Sequence, residues 1–367
     1  MKPYVPAKLP LEGLDIRQLI SLVGKANSAL ARYDGLLQGM VNPTIMLSPL
    51  TNQEAVLSSK IEGTQATVEE VLEHEAGRKY DQRKELDIVE ILNYRHAMIK
   101  ANEYLAERPI RLSLIEDLHK ILMDSVRGQD KEPGQFRKTQ NWIGKYGCTM
   151  EEASFVPPNP LQLLDFLRDW EIYIEYNDFD PLAQAAIVHA QFELLHPFKD
   201  GNGRVGRLLI PLFLYSKGCL SSPMFYLSAY LESNRDEYYA RLKAISAEGD
   251  WTGWIAFFLT AIIKQANQNI ERTKEVMALY DETKNIVRDV THSQHSAQIV
   301  DALFTRPIFT ATALCKSTGI AKQTVHGIIR SLMEAGILSI MREGAGRRAA
   351  IISFPKLLNC AEGKDTF

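Results

Sequence analysis

The sequence predicts a mostly α-helical protein, in which a helical core with a small β-hairpin flap is followed by a C-terminal winged helix-turn-helix domain. Three observations predict this fold class. Apolar residues recur at helical spacing over most of the chain. A stretch rich in glycine and proline interrupts that spacing between residues 133 and 160. The last residues follow the order helix, turn, helix, hairpin. The 367 residues, 46% hydrophobic and 24% charged, have the balance of a globular protein of two or three domains.

The predicted helices of the core surround one polar segment. Residues 11–37 and 85–105 each carry an apolar face at a spacing near 3.6 residues. Another helix is predicted to begin at Asp180-Pro181, because Asp caps free amides and Pro suits the first helical position. Pro197 disfavours helix at His196, so this helix is expected to end there.

Glycines and prolines break any helix between residues 133 and 160, and residues 140–143 are suited to a short extended segment. A small hairpin or flap is therefore predicted. A polar, charge-mixed stretch then leads to the C-terminal region. The predicted organisation is an N-terminal helical region over 1–85, a helical core over 86–266, a connecting helix over 267–292 and a winged-helix domain over 293–360.

Composition excludes several classes of protein. No apolar run approaches the roughly 20 residues of a membrane span, so no membrane partner is expected. Pro3 and Pro6 stand where a signal peptide would be apolar, which favours a cytoplasmic location. The four cysteines form no C-x-x-C pair, so neither a disulfide scaffold nor a structural zinc site is expected. The net charge of −3 hides a basic C-terminal region, where residues 293–367 hold nine Lys and Arg against five Asp and Glu.

The segment from His196 to Arg207 reads His-Pro-Phe-Lys-Asp-Gly-Asn-Gly-Arg-Val-Gly-Arg and lies between two apolar helices. Its glycines allow backbone amides to approach a bound group, and the next helix adds free N–H groups and the positive end of its dipole. Arg204 and Arg207 lie on one face of the first turn, where acidic residues are normally favoured. Two cations in that place indicate an anionic ligand.

The other residue types in this segment fit phosphate chemistry. His196 can accept a proton near neutral pH, Asp200 is a hard oxygen ligand of the kind Mg²⁺ takes, and Asn202 can donate to a phosphate oxygen. A base, a metal ligand, an anion cradle and two cations together predict a transfer to or from a nucleotide phosphate. The alternative is that Asp-Gly-Asn-Gly is only a turn between helices.

Residues 196–207 match without departure the signature HPFx(D/E)GNGRxxR, and on these residues the chain resembles the Fic-domain proteins. The resemblance covers roughly residues 1–266. Fic proteins usually transfer AMP from ATP to a hydroxyl of a target protein and release pyrophosphate. In a kinase-like branch Lys replaces the residue at Gly203, so Gly203 favours nucleotidyl transfer.

The resemblance implies roles for the residues of the motif. His196 would deprotonate a Ser, Thr or Tyr hydroxyl of the target as it attacks the α-phosphorus, and Asp200 would hold Mg²⁺. Arg204 and Arg207 would hold the β- and γ-phosphates, and Phe198 would anchor the loop in the core. The ATP-binding set implied is Gly201, Asn202, Gly203, Arg204, Val205, Gly206 and Arg207, joined by Asn234, Tyr238 and Tyr239.

Two further elements match the family more loosely. The residues Trp142, Ile143, Gly144 and Lys145 match the flap that pairs with an extended stretch of the target; the alternative is an ordinary hairpin over a core. Tyr238 and Tyr239 match residues near the adenosine, and Asn234 could contact the ribose or base. Aromatic residues at helical spacing also serve as core.

A short segment ahead of the core is similar to the family's inhibitory helix pattern, (S/T)xxxE(G/N), with Ser58, Glu62 and Gly63 in the required positions. Without that context Glu62 is a solvated carboxylate followed by a helix-ending glycine. The resemblance implies that Glu62 forms a bidentate pair with Arg207 and restrains the enzyme. In some family members the same Glu helps to remove the modification.

The C-terminal region resembles winged helix-turn-helix domains in the order of its elements. Helices are predicted over 298–304, 311–317 and 322–335, followed by a hairpin between 337 and 354. In a DNA-binding interpretation Lys322, Gln323, Thr324 and His326 begin the recognition helix. Arg347 and Arg348 then tip the wing. The alternative is docking of a protein.

The function predicted is therefore an autoinhibited, Mg²⁺-dependent protein adenylyltransferase with ATP and a target protein as partners. Removal of adenylyl groups and transfer of another nucleotide such as UMP stay open. So does a DNA-binding regulator that uses the Fic core as a nucleotide sensor. A homodimer is a further alternative, because a partner subunit can relieve or reinforce an inhibitory helix. His189 lies on the same helix face as His196, and it is expected to be a packed core histidine.

Overall fold

The computed structural model describes residues 2–124, 131–145, 147–346 and 348–363. The chain folds mainly into helices, with one small sheet. The helices are α1 (Ile16–Gly39), α2 (Pro43–Met46), α3 (Ser48–Ile61), α4 (Val68–Glu75), α5 (Gln82–Leu105), α6 (Leu112–Leu122), α7 (Pro160–Glu175), α8 (Pro181–Leu195), α9 (Asn202–Ser216), α10 (Ser228–Ser233), α11 (Arg235–Glu248), α12 (Trp251–Thr291), α13 (Ser296–Thr305), α14 (Ala311–Thr318), α15 (Lys322–Glu334) and α16 (Pro355–Glu362). The strands are β1 (Ile308–Phe309), β2 (Ser339–Arg342) and β3 (Ile351–Ser353).

The chain forms two compact units, each assembled from separate stretches of sequence. The first comprises Met1–Gln38, Leu57–Thr64 and Val89–Asn267. The second comprises Gly39–Val56, Gln65–Ile88 and Gln268–Phe367. The predicted domain limits follow sequence order, whereas these units interleave, because long-range packing rather than chain continuity defines them.

Helix α8 lies at the centre of the first unit and packs against α7, α9 and α11. It is apolar around most of its circumference, and nearly all of its residues are buried. The indole N–H groups of Trp170 and Trp254 donate to the Val188 and Ala186 carbonyls at 2.9 and 2.8 Å. This buried helix holds the loop that follows it in a fixed place.

The limits predicted for α8 are confirmed. The Asp180 carboxylate accepts from the amides of Leu182 and Ala183, both at 2.9 Å, so it caps the helix start. Helical backbone ends at Leu195, and His196 takes a left-handed conformation with φ 46°. The predicted helices at 11–37 and 85–105 are found as α1 and α5.

Two expectations about secondary structure differ from the structure. Residues 267–291 are not a separate helix, since they continue the 41-residue α12 that begins at Trp251. In the described part of 133–160, the predicted hairpin pairs at a single antiparallel bridge between Ile143 and Phe155. The Ile143 amide donates to Phe155 O at 2.8 Å and the Phe155 amide returns a bond at 3.1 Å. Pro157 and Pro158 follow after Val156 and have no amide to extend the pairing.

The second unit contains the antiparallel sheet, in the order β1-β3-β2. Helices α13, α14 and α15 are found where the sequence predicted them, and β1 is an additional strand of two residues. Phe304 and Phe354 meet edge to face at 5.8 Å between ring centroids. Arg342 of β2 is bound to the buried carboxylate of Glu73 on α4. Arg347, predicted at the wing, lies outside the described residues.

Candidate active site

The loop between α8 and α9 is closed by its own side chain. The Phe198 amide donates to Asn202 Oδ1 at 2.8 Å, and Asn202 Nδ2 donates back to the Phe198 carbonyl at 2.9 Å. Gly201, at φ 76°, then turns the chain into α9. Asn202 is buried, and its side-chain amide is bonded within the loop. In this state the side chain therefore shapes the loop.

A buried histidine supports the same loop from α6. The rings of His119 and Phe198 stack with centroids 3.7 Å apart. His119 Nδ1 accepts from the Gly134 amide at 2.9 Å, which leaves Nε2 to donate to the Asp200 carbonyl at 3.1 Å. Burial lowers the pKa of His119 to about 4, so the ring is neutral in this role. His119 lies in no motif of the sequence and was not predicted.

Arg137 is the second supporting residue that sequence reasoning missed. It is buried, and its Nε donates to the His196 carbonyl at 2.9 Å while Nη2 donates to Pro158 O at 2.6 Å. Its backbone amide also donates to Pro197 O at 2.8 Å. Arg137 thus satisfies carbonyls that the end of α8 leaves without helical partners. No sequence motif marks it, because its targets are backbone atoms.

The His196 ring is oriented for proton acceptance. Its Nδ1 lies 3.4 Å from the Glu193 carbonyl, an atom that only accepts, so Nδ1 carries the proton. Nε2 is then left with its lone pair. Burial lowers the pKa of His196 to about 4, and the ring is therefore neutral at physiological pH.

His196 lies in the wall of a cavity of about 570 Å³. Nine predicted residues line this cavity: Glu62, Trp142, Ile143, Gly144, His196, Gly203, Arg207, Tyr238 and Tyr239. Glu193, Leu242, Lys243 and Ser246 also line it and were not predicted. Among the described residues, the lining does not include Ser58, Gly63, Lys145, Asp200, Gly201, Asn202, Arg204, Val205, Gly206 or Asn234.

The start of α9 presents backbone amides and two arginines. The first bond of the α-helical ladder runs from the Val205 amide to Gly201 O at 3.1 Å, so the three preceding helix amides are left for another acceptor. Arg204 is buried, with a side chain 5% exposed: its Nη1 lies 3.2 Å from Glu90 on α5 and its Nη2 lies 3.9 Å from Asp200 Oδ1.

Arg207 is held by the segment that precedes the core. Its Nη2 donates to Glu62 Oε1 at 2.7 Å and to the Ser58 carbonyl at 2.8 Å, and its Nε donates to Ser58 Oγ at 2.9 Å. The pair was expected to be bidentate, but the described contacts give one bond from Glu62 and two from Ser58. Ser58 therefore accepts two of these three hydrogen bonds of the Arg207 guanidinium, and Glu62 accepts one.

The charge of Arg207 keeps Glu62 ionised, so the two form an ion pair. Burial alone would raise the pKa of Glu62, but Arg207 outweighs it and the net shift is downward, so the carboxylate is ionised. A Cβ on Gly203 would lie 2.1 Å from Glu62 Oε1. Glycine at position 203 thus leaves the space that the Glu62 carboxylate occupies. Gly63, at φ 103°, follows the end of α3 as predicted.

The aromatic residues of α11 have different surroundings. Tyr238 is buried and donates to His189 Nε2 at 2.9 Å, while His189 Nδ1 donates to Gly206 O at 3.0 Å. His189 is the packed core histidine that was expected. Tyr239 is 42% exposed and lines the cavity. Asn234 Nδ2 donates to the Tyr230 carbonyl at 2.9 Å.

Asp200 is the acidic residue of the loop and directly precedes Gly201. Its side chain is 52% exposed and its Oδ1 accepts from the Gly201 amide at 2.6 Å. A single accessible carboxylate fits Mg²⁺, which commonly takes one or two carboxylates and completes its shell with water and substrate phosphates. Among the described residues no group of three or more His, Cys, Asp or Glu is arranged to hold a metal.

No helix among the described residues has the length and apolar character to span a membrane.

A neutral histidine, the first turn of α9 and an arginine paired with an acidic residue thus lie at one cavity. Residues 20–103 match the Fic/DOC family N-terminal model and residues 109–214 match the Fic/DOC family model. These two consecutive matches span more than half of the sequence. The chain belongs to the Fic/DOC family.

Curated relatives carry a name for the activity. Protein adenylyltransferase Fic of Drosophila grimshawi is 30% identical over 259 residues, which are 67% of this chain and 48% of that protein. Protein adenylyltransferase fic-1 of Caenorhabditis elegans is 31% identical over 141 residues, 38% of this chain and 24% of that protein. The chain thus spans about half the length of the Drosophila relative and a smaller part of the Caenorhabditis relative.

Solved structures agree on the fold. A Fic family protein from Desulfovibrio desulfuricans G20 has a TM-score of 0.59 at 18% identity, covering 96% of this chain and 98% of that chain. Fic-1 from C. elegans has a TM-score of 0.55 at 20% identity, covering 70% and 72% of the two chains.

Proposed function

We propose that this protein is a protein adenylyltransferase that transfers AMP from ATP to a Ser, Thr or Tyr hydroxyl of a target protein. The observation that carries the proposal is that the neutral His196 and the Arg207 guanidinium line one cavity at the start of α9. A base and a phosphate-binding cation at one site are what nucleotidyl transfer requires. The names of the relatives support the same activity.

In the proposed reaction His196 Nε2 accepts the hydroxyl proton as the hydroxyl oxygen attacks the α-phosphorus. A bond forms between that oxygen and phosphorus, the bond to the bridging oxygen of the β-phosphate breaks, and pyrophosphate leaves. The amides of Asn202 and Gly203 donate to the α-phosphate oxygens. Arg207 holds the terminal phosphate. Mg²⁺ held by Asp200 would neutralise phosphate charge.

The proposed resting state is autoinhibited. Glu62 and Ser58 occupy Arg207, so a bound triphosphate lacks its terminal cation and its α-phosphorus is misplaced for in-line attack. The hydrogen bond that Arg207 donates to the Ser58 carbonyl adds to this restraint of the guanidinium.

The chemistry is tested with ATP labelled separately on the α- and γ-phosphates, incubated with Mg²⁺ and the Glu62→Gly variant. We expect intact-protein mass spectrometry to show the mass of one AMP, with the α-label retained on the protein and the γ-label released. Retention of the γ-label would instead mean phosphorylation. No label on the variant or on any protein of a cell lysate, with ATP bound, would contradict transferase activity.

The same assay addresses the two enzymatic alternatives. Incubation with UTP in place of ATP measures transfer of UMP. Incubation of purified adenylylated protein with the wild-type chain measures removal of AMP, in which Glu62 would activate water. A dimer is tested by light scattering of wild type and Glu62→Gly.

A second candidate, a DNA-binding regulator with the core as nucleotide sensor, is favoured by one feature of α15. Lys322, Gln323, Thr324 and His326 are exposed together, while the opposite face of the helix is buried. This is how a recognition helix of a winged helix-turn-helix domain is built. Arg342, the last residue of β2, is engaged by Glu73, so this cation is not available to a phosphate.

If DNA is the partner, Lys322→Ala combined with Arg348→Ala should weaken binding. The slope of log affinity against log salt should become shallower by about 0.9 for each lost phosphate contact. Fluorescence anisotropy with a duplex of random sequence measures both. Equal slopes for variant and wild type would favour the protein-docking alternative.

A further inference from the structure

One carboxyl group in the cavity wall has no part in the proposed chemistry. Glu193 lies in the last turn of α8, three residues before His196, and lines the cavity. Its Oε1 is buried and finds no hydrogen-bond partner among the described residues. Buried polar atoms are nearly always paired, so an unpaired one in a cavity wall indicates a missing ligand or a proton.

Position 206 is adapted to this carboxyl. A Cβ on Gly206 would lie 2.2 Å from Glu193 Oε1, so any larger residue would push the carboxyl away from α9. Gly206 occupies one of the two positions that the signature leaves unspecified before Arg207. The absence of a side chain at Gly206 therefore keeps the Glu193 carboxyl beside α9, the helix that carries Arg207.

The surroundings of Glu193 favour its neutral form. Burial raises the pKa of Glu193 to about 8, a rise that Arg207 on α9 opposes and Glu62 reinforces. Tyr238 and Tyr239 face it from α11, and the pKa of each is raised, so both stay neutral over the same range. At neutral pH the carboxyl therefore carries a proton that it can donate.

We infer that Glu193 is a nucleotide-binding residue, which donates its carboxylic O–H to an oxygen of the bound nucleotide. The inference rests on the proposed function for the identity of the ligand. Phosphate and ribose oxygens accept such a bond, whereas an ionised Glu193 would place a negative charge beside a polyanion and remove the donor. Nucleotide affinity then depends on the protonation of Glu193.

The experiment is titration calorimetry of the full chain with Mg²⁺ and the non-transferable analogue α,β-methylene ATP, from pH 7 to pH 9. If only neutral Glu193 binds, wild-type affinity falls about tenfold over this range, since the competent fraction falls by that factor. Glu193→Gln retains a neutral donor, so its affinity should change less than about threefold. Glu193→Ala should bind about tenfold more weakly than wild type at pH 7.

Glu237→Gln is the matched control, because Glu237 is an exposed carboxylate on α11 paired with Arg241. It should follow the wild-type profile. Identical profiles for wild type and Glu193→Gln, with equal thermal midpoints, would overturn the inference and leave the proposed function standing. Absence of analogue binding by every variant would overturn both. Running the titration with adenosine shows whether the accepting oxygen belongs to the sugar or to a phosphate, since only a sugar contact keeps the pH dependence.

Discussion

Glu62→Gly should raise self-adenylylation by about 10- to 100-fold, because a hydrogen bond between charged groups contributes about 1.5–3 kcal/mol. In the wild-type chain Glu62 Oε1 lies 2.7 Å from Arg207 Nη2, and the guanidinium is almost fully buried. Removing the carboxylate frees the cation for the terminal phosphate. The measurement is the initial rate of AMP incorporation with saturating ATP and Mg²⁺.

Two further variants make this prediction specific. Glu62→Gln keeps the size of the side chain without its charge and should give a smaller increase. Glu232→Gln removes a carboxylate from the exposed ion pair that Glu232 forms with Lys60 at 2.8 Å, two residues from Glu62, and should change the rate less than about twofold. A Glu62→Gly enzyme no faster than wild type, with intact folding and ATP binding, would contradict autoinhibition.

The limits of α8 could be predicted from local signals, the Asp180 cap and Pro197. The candidate site residues of the motif and Glu62 came from the resemblance to the family, whereas the residues that support the loop were not predicted. His119 and Arg137 could not be found in this way, because they act on backbone carbonyls and amides of distant segments. Their partners exist only once α6 and the glycine-rich stretch pack against the loop.

Arg204 shows what helical spacing cannot supply. Its spacing from Arg207 predicts two cations directed at phosphate, which stays a prediction, and the structure adds that Arg204 pairs with Glu90 and is not among the residues that line the cavity. The partner stands 114 residues earlier in the chain, on a different helix. Helical spacing fixes which residues share a face, but not which of them a distant acidic residue will neutralise.

His196→Ala should lower transfer by at least about 100-fold in the Glu62→Gly background, the effect expected for loss of a general base. His96→Ala is the matched control, since His96 is exposed on α5, and it should leave the rate unchanged. Binding of α,β-methylene ATP should survive in both variants. Transfer by His196→Ala within about tenfold of its parent would contradict proton acceptance by this ring.

The pH profile gives a separate test of the same residue. Burial disfavours the imidazolium and lowers the pKa of His196 to about 4, while Glu62 opposes that fall. Removing Glu62 therefore moves the pKa of His196 further down, and the ring of the free Glu62→Gly enzyme keeps its acceptor at pH 5. We expect kcat/KM of this variant to hold down to about pH 5 and to fall only near pH 4 or below, well under the usual 6.5 of histidine. Bound ATP adds negative charge and raises the pKa of His196, so the acid limb of kcat should lie at higher pH than that of kcat/KM. An acid limb of kcat/KM near pH 6.5 would mean that water reaches His196 in the active state.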